Sequence, residues 1–388
     1  MEYLYSKRIS NLKPSPIREI VKAAAADPTI IPFAAGNPAP EAFPKKEIAA
    51  ITEKIMSENP IAALQYGVSE GYAPLREAIK AMHEQEAKGS EVIVTSGAQQ
   101  AIELSVKVFC NEGDVIICED PSFIGSLNAF RSHGAVLVGV EYQSDGMNME
   151  KLENALKNTA NVKMIYTIPN FQNPTGKTMS ASKRAELYGL AKKYNVVILE
   201  DNPYGDLRYS GEHVPSIKSM DADGLVIYCG SFSKTISPGL RVGYVIFPSA
   251  MLSKFTPAKQ VADVHTPMLA QLIVYEFLKT CNLKDHINKT NEIYKHKLKL
   301  MHDGLAQHTK GKFAYDMPEG GLFIYGALPP AVKMQDFVKA ALENKVAVVP
   351  GSAFCIDSSA PCNDIRLNFS TPTNEQIVRG IEVLGKLL

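Results

Sequence analysis

An excess of charge of either sign is missing from this chain. Lys plus Arg and Asp plus Glu both number 41, so no net field draws it toward nucleic acid or an anionic membrane surface. No run approaches the roughly 18 apolar residues of a membrane-spanning helix, and Met1-Glu2-Tyr3-Leu4-Tyr5 lacks the apolar core of a secretory signal. The cysteines (Cys110, Cys118, Cys229, Cys281, Cys355, Cys362) are scattered without a C-x-x-C pair, and several sit in apolar runs. That pattern reads as buried free thiols, with no metal site expected and a reducing, cytoplasmic setting. Low-complexity tracts and internal repeats are absent too. What is there is a globular composition, 45% hydrophobic and 21% charged over 388 residues, long enough for a sizeable core and about two domains.

Beyond Gly89, short β-rich runs alternate with helical stretches. The strand candidates are 92–95, 115–118, 135–138, 164–167, 196–199, 225–229 and 242–247, with helices at 98–109, 122–131, 149–156 and 181–194. Near-continuous apolar strands between helices predict an α/β domain built on a mostly parallel, seven-stranded sheet covered on both faces. Ahead of it, helices are expected at 15–26, where Pro16 suits a first turn, and at 44–57 and 73–87. After Pro248 the signal changes. Long helices at 267–280 and 284–307 precede strands at 320–325, 346–349 and 365–369, interleaved with helices at 334–344 and 374–387. This predicts a smaller α+β domain.

In parallel sheets, ligands collect at the carboxyl ends of the strands, and polar chemistry lies at those ends here. Thr95-Ser96-Gly97-Ala98-Gln99 passes from strand to helix, where free N–H groups favour a phosphate and Ser96 is a candidate cap. The next strands end in Glu119-Asp120-Pro121-Ser122-Phe123, an aromatic face, in the donor-rich 168–176 turn, and in Asp201-Asn202-Pro203-Tyr204. Asp201, at the end of the apolar 196–199 run, needs a cationic or hydrogen-bonding partner, either a structural one or a protonated ring nitrogen. Lys234, in a Ser/Gly-rich loop between two apolar strands, is a solvated loop lysine or a desolvated, nucleophilic amine. Arg241 adds a planar fork suited to phosphate, and an amine beside a phosphate clamp suggests pyridoxal phosphate. Arg366 inside an apolar strand wants an anion, from the protein or from a substrate. Gly36 reads first as a turn residue. Tyr66, set among polar and glycine residues, reaches a ligand or caps a neighbouring segment.

Asn173-Pro174-Thr175-Gly176, Asp201-Asn202-Pro203-Tyr204, Ser231-Phe232-Ser233-Lys234, Arg241-Val242-Gly243 and Arg366-Leu367-Asn368-Phe369 together resemble the fold-type-I, class I and II aminotransferases, in order and approximate spacing. The similarity is greatest to the branch of 2-aminoadipate and kynurenine aminotransferases and of the aminotransferase domain of MocR-type regulators. It implies the aspartate aminotransferase-like fold, with an N-terminal segment (1–44) joined to the small domain, a large cofactor domain (45–283) and a small C-terminal domain (284–388). It also implies pyridoxal 5'-phosphate linked to Lys234, which then shuttles a proton. Asp201 would pair with the ring nitrogen, Asn173 and Tyr204 would bond the ring's phenolate oxygen, and Phe123 would stack on the ring. Gly97, Ala98, Gln99, Ser231, Ser233 and Arg241 would hold the phosphate. Arg366 would grip the substrate carboxylate with Asn173 and Gly36, and Tyr66 would enter from the partner subunit of a homodimer whose sites lie at the interface. Two departures stand out: Phe123, where many relatives have Tyr or Trp, and Ala98, often a hydroxyl residue in the wider class. No second arginine is assigned to a dicarboxylate side chain.

The expected activity is therefore ping-pong transfer of an amino group from an L-amino acid to a 2-oxo acid. A β-elimination C–S lyase on the same fold is the alternative. A cofactor-sensing regulator is disfavoured, since only about 30 residues precede Ile30 and no net charge favours DNA.

Overall fold

A computed structural model describes residues 3–10, 12, 20, 22 and 26–388. The 15–26 helix expectation lies almost wholly outside the described residues. All seven expected strands of the large sheet form: β1 (Ser90–Thr95), β2 (Val115–Asp120), β3 (Val136–Gln143), β5 (Val162–Thr167), β6 (Val197–Asp201), β7 (Val226–Ser231) and β8 (Gly243–Pro248). The sheet nevertheless has eight strands, because the chain after β3 turns back to pair Gly146–Met147, β4, against Tyr142 and Gln143. Two residues are too short a run for periodicity to reveal.

The strand order is β1-β8-β7-β6-β5-β2-β3-β4. The β7-β6-β5-β2-β3 ladder is parallel, and β8 runs antiparallel to both β1 and β7. The carboxyl ends of β1, β2, β5, β6 and β7 therefore share one rim, and β8 enters that rim by its amino end. The register places Gly243 opposite both Thr95 and Ser231.

Helices form where expected at Ala98–Phe109, Ala181–Tyr194 and Asn374–Leu387, and each end has a local cause. Asn195 takes the left-handed conformation (φ 53°) that stops the second. Thr373 and Gln376 close a reciprocal capping box on the third. The 73–87 stretch breaks at His83 into Ala73–Met82 and Glu84–Ala87. Leu252–Asp263, a helix with Pro257 inside it, was concealed by that proline.

The second sheet, β11 (Val349–Pro350), β12 (Asp364–Asn368), β10 (Phe323–Ala327) and β9 (Ala314–Tyr315), is antiparallel in that order. The expected 346–349 strand is thus mostly not one. Val346 bridges in parallel to Ile31 instead, because a strap from the N-terminal side lies along this sheet. The strap is laced down by Ala347 N–H to Ile31 O (3.0 Å) and Asn368 N–H to Phe33 O (2.8 Å). Its Ile31 and Phe33 join one continuous core with residues of both sheets. No helix among the described residues is long and apolar enough to cross a membrane.

Candidate active site

The rim of the large sheet and the strap enclose a cavity of about 900 Å³. Twelve of the fourteen residues expected at the site line it, from Gly36 through Lys234 to Arg366. Gly97 lies directly behind that lining. Tyr66 does not reach the cavity; it is 81% exposed.

Gly97 (φ 82°) leads the Ala98–Phe109 helix with no side-chain cap, so the first N–H groups of that helix are free at the rim. Ser96 is not the cap; its hydroxyl turns away and donates to Asp263 (2.9 Å). The approach is close. A Cβ on Gly97 would fall 2.2 Å from the Arg241 guanidinium, and one on Gly243 would fall 2.8 Å from the Ala98 nitrogen. Arg241 is held there by donating to Ser96 O (2.9 Å), and Ser231 Oγ accepts from the Ser233 N–H (3.1 Å). Bare backbone, two hydroxyls and a guanidinium thus converge on one point, a cradle for a phosphate.

Lys234 Nζ donates to Gly36 O (2.7 Å), so Gly36 meets the site through its carbonyl and is not merely a turn. Burial, then the Arg366 and Arg241 guanidiniums, pull the Lys234 amine down to about 8. The reactive neutral form is accordingly far more accessible near neutral pH than for an ordinary lysine.

Asp201 at the end of β6 is 2% exposed. One oxygen, Oδ2, accepts from the Tyr166 hydroxyl (2.8 Å), while Oδ1 is buried without a partner. Burial raises its carboxyl to about 7, against the lowering effect of the Tyr166 bond. Asn173 links the two remaining elements. Its amide nitrogen faces the Tyr204 hydroxyl (3.4 Å), and its oxygen accepts from Arg366 (3.0 Å). Arg366 is 3% exposed, packed on the Phe323 and Phe354 rings at 4.1 and 5.0 Å, and donates to Ala34 O (2.9 Å). All its partners are neutral and its Nε has none. Burial lowers it to about 10.

The site therefore presents three cations, Lys234, Arg241 and Arg366, with the Asp201 carboxyl among them and Glu103 elsewhere on the lining. Such a surplus suits a ligand set carrying a phosphate and a carboxylate. The orphan Asp201 Oδ1 suits a protonated ring nitrogen, the Phe123 face a flat ring, and the Lys234 amine an aldehyde. These residues fit pyridoxal phosphate.

Comparison with known proteins agrees. The sequence model of the family "Aminotransferase class I and II" matches residues 28–384. The chain belongs to the class I and II aminotransferases. It is 37% identical to aromatic-amino-acid aminotransferase 1 of Thermococcus litoralis, over 100% of this chain and 94% of that one. It is 36% identical to the 2-aminoadipate transaminase of Thermus thermophilus, over 99% and 96%. The crystal structure of Pyrococcus horikoshii kynurenine aminotransferase, a complex with PMP, matches with a TM-score of 0.94 at 34% identity, over 99% and 96% of the two chains. The aminotransferase described here is pyridoxal-phosphate-dependent, and its architecture is the aspartate aminotransferase-like fold expected from the sequence.

Four residues of this aminotransferase site escaped the sequence reading. Phe323 walls Arg366 and meets Tyr204 edge-on at 5.9 Å between ring centroids. Glu119, fully buried at the end of β2, accepts from Thr167 Oγ1, the Ile168 N–H and Gln172 Nε2, and so fixes the turn carrying Asn173. Tyr166 and Ser126 stand behind Asp201. For Glu119 and Tyr166 a signal existed: each is a polar group inside an otherwise apolar strand.

Proposed function

We propose that this aminotransferase takes aromatic, aliphatic and 2-aminoadipate-like L-amino acids as donors and 2-oxo acids as acceptors. The observation that carries this is Arg366, a buried guanidinium without a protein carboxylate, beside Lys234 and across from Asp201. The breadth of substrate side chains is supported by the names of the relatives and by the absence of an assigned second arginine. Bound pyridoxal phosphate supplies an electron sink that lets the substrate Cα–H bond ionise.

The chain's own residues do the rest. Arg366, steadied by Asn173, binds and orients the substrate α-carboxylate. Lys234 anchors the cofactor and, when displaced by substrate, its Nζ takes the proton from Cα. Asp201 Oδ1 holds the ring-nitrogen proton, and Tyr204 and Asn173 offer hydrogen bonds to the ring's oxygen. Phe123 covers one ring face. Gly97, Ala98, Gln99, Ser231, Ser233 and Arg241 hold the phosphate, and the Gly36 carbonyl lies where the substrate ammonium enters.

The expected division into 1–44 with 284–388, and 45–283, is supported by the strap's bonds to the second sheet. A homodimer, with Tyr66 serving the partner's site, is supported by exposed apolar residues, Ile61, Leu64, Val68 and Val261, at 59–78%. These segments join where Tyr66 meets His265 edge-on (5.8 Å), beside Val264, a β-branched residue at φ 64°. The six free thiols support a reducing, cytoplasmic setting.

The test is a visible-absorption titration of the cofactor-loaded protein with a panel of L-amino acids. The yellow band should bleach with aromatic, aliphatic and 2-aminoadipate donors and return on adding a 2-oxo acid. Pyruvate accumulating without an oxo-acid acceptor, with the band unbleached, would overturn the assignment.

A further inference from the structure

Behind Asp201 runs a chain of hydroxyls that the roles above leave unused. Tyr166 comes from β5 and is fully buried, its ring packed edge-on against Phe130 (5.1 Å between centroids). Its hydroxyl is 2.8 Å from Asp201 Oδ2 and 2.7 Å from Ser126 Oγ, which is itself fully buried on the 124–132 helix. A tyrosine has one hydroxyl proton, and a carboxylate can only accept. The Tyr166 proton is therefore committed to Asp201, and Ser126 must be the donor to the Tyr166 oxygen. The direction of the chain is fixed as Ser126 to Tyr166 to Asp201.

That direction has a consequence for the free oxygen. Two hydroxyls in series polarise each other, and both stabilise negative charge on Asp201. The carboxyl whose ionised form they favour has its other oxygen, Oδ1, buried and unpartnered at the cavity. Glu119, Tyr204 and Cys229 also lie close to Asp201, and Lys234 and Arg366 share the cavity with it, but none of these donates a hydrogen bond to its carboxyl. Among the described residues the Tyr166 hydroxyl, backed by Ser126, is the hydrogen bond that offsets its burial.

We propose that Ser126 and Tyr166 are positioning residues that act through Asp201, favouring its ionised form and aiming it so that it binds the protonated ring nitrogen of pyridoxal phosphate. The inference rests on the cofactor assignment above and extends it to residues that touch neither cofactor nor substrate.

The experiment measures binding of two probes to the cofactor-free full chain: pyridoxal phosphate, and its carbocyclic analogue with carbon in place of the ring nitrogen. Tyr166→Phe keeps the ring and its packing and removes only the hydroxyl. It should weaken pyridoxal phosphate about tenfold or more, since the bond lost is to a charged group. It should leave the analogue's affinity unchanged, because the analogue has no ring nitrogen for Asp201 to hold. Ser126→Ala should show the same selectivity at a few-fold, and it keeps the test intact if Tyr166→Phe folds poorly. In the loaded enzyme, kcat should fall while KM holds. Equal weakening of both probes, or of neither, overturns the relay while leaving the cofactor assignment standing. Failure of the unaltered protein to bind pyridoxal phosphate overturns the assignment and the relay with it.

Discussion

Arg366→Met separates what a buried guanidinium does for the fold from what it does for the substrate. The lowering of Arg366 to about 10 by burial means that its charged form is disfavoured in the folded chain. At about 1.4 kcal/mol per unit, this costs roughly 3 kcal/mol at neutral pH, below the folded value, where the cost is fully present. Methionine is of similar length, fits between Phe323 and Phe354, and removes that cost. It also removes the hydrogen bonds to Asn173, Ala34 and Ala35, each worth about 1 kcal/mol. The two effects offset, so denaturant unfolding of the cofactor-free protein should show a change within about 2 kcal/mol. The substrate sees no such compensation. Removing one partner of a buried, hydrogen-bonded ion pair costs about 3–5 kcal/mol. Hence kcat/KM for an L-amino acid should fall roughly 150- to 4000-fold. The assay is the half-reaction, followed by loss of the cofactor's visible band, with an amino acid and with the primary amine of the same side chain. The amine has no carboxylate, and its rate should change little. A variant within tenfold of the parent on amino acids, or one that loses as much on the amine, would refute the reasoning.

Three further outcomes follow from the same geometry. Since Lys234 is lowered to about 8, its neutral, nucleophilic fraction rises with pH up to that value; the rate of cofactor incorporation into the apoprotein should climb through neutral pH and level off above about 8. Arg366→Met should move that inflection upward, since Arg366 is one of the two cations lowering Lys234, and an unmoved profile would show that burial and Arg241 set it without Arg366. Gly243→Ala places a Cβ against the Gly97–Ala98 backbone and should weaken cofactor binding about tenfold or more, with a stability cost of about 1–3 kcal/mol in thermal unfolding. Thr373→Ala, at a capping box outside the cavity lining, should cost about 1 kcal/mol in denaturant unfolding and leave kcat/KM unchanged.

Much of this molecule was legible in its sequence, and what was not has physical reasons. The seven strands declared themselves because strands buried on both faces read as unbroken apolar runs. The Ala98–Phe109 and Ala181–Tyr194 helices were bounded by glycine and asparagine at their ends. The polar rim was legible because polar residues gather where apolar strands end, as at Asp201 and Lys234. The strap's pairing with Val346 was hidden, because one bridge between residues so far apart leaves no local pattern. Tyr166 was hidden by its own suitability: a tyrosine in a strand satisfies β-propensity whether or not its hydroxyl does chemistry. The absence of any carboxylate at Arg366 was likewise invisible, since a sequence shows that a cation needs a partner and not whether the fold provides one.

The strap that lies along the second sheet also orders events in time. Ile30, Ile31, Phe33 and Ala34 are buried in the finished protein, and the partners of Ile31 and Phe33 include Val346 and Asn368. Ribosomes add about 5–20 residues per second, so the roughly 300 residues between strap and partner take about 15 to 60 s to make. For that interval an apolar segment made among the first has nothing to cover it, and the guanidinium it will help hold does not yet exist. The last-made part of the chain completes both the core and the carboxylate grip. A nascent aminotransferase therefore carries these apolar strap residues uncovered until the second sheet has been made.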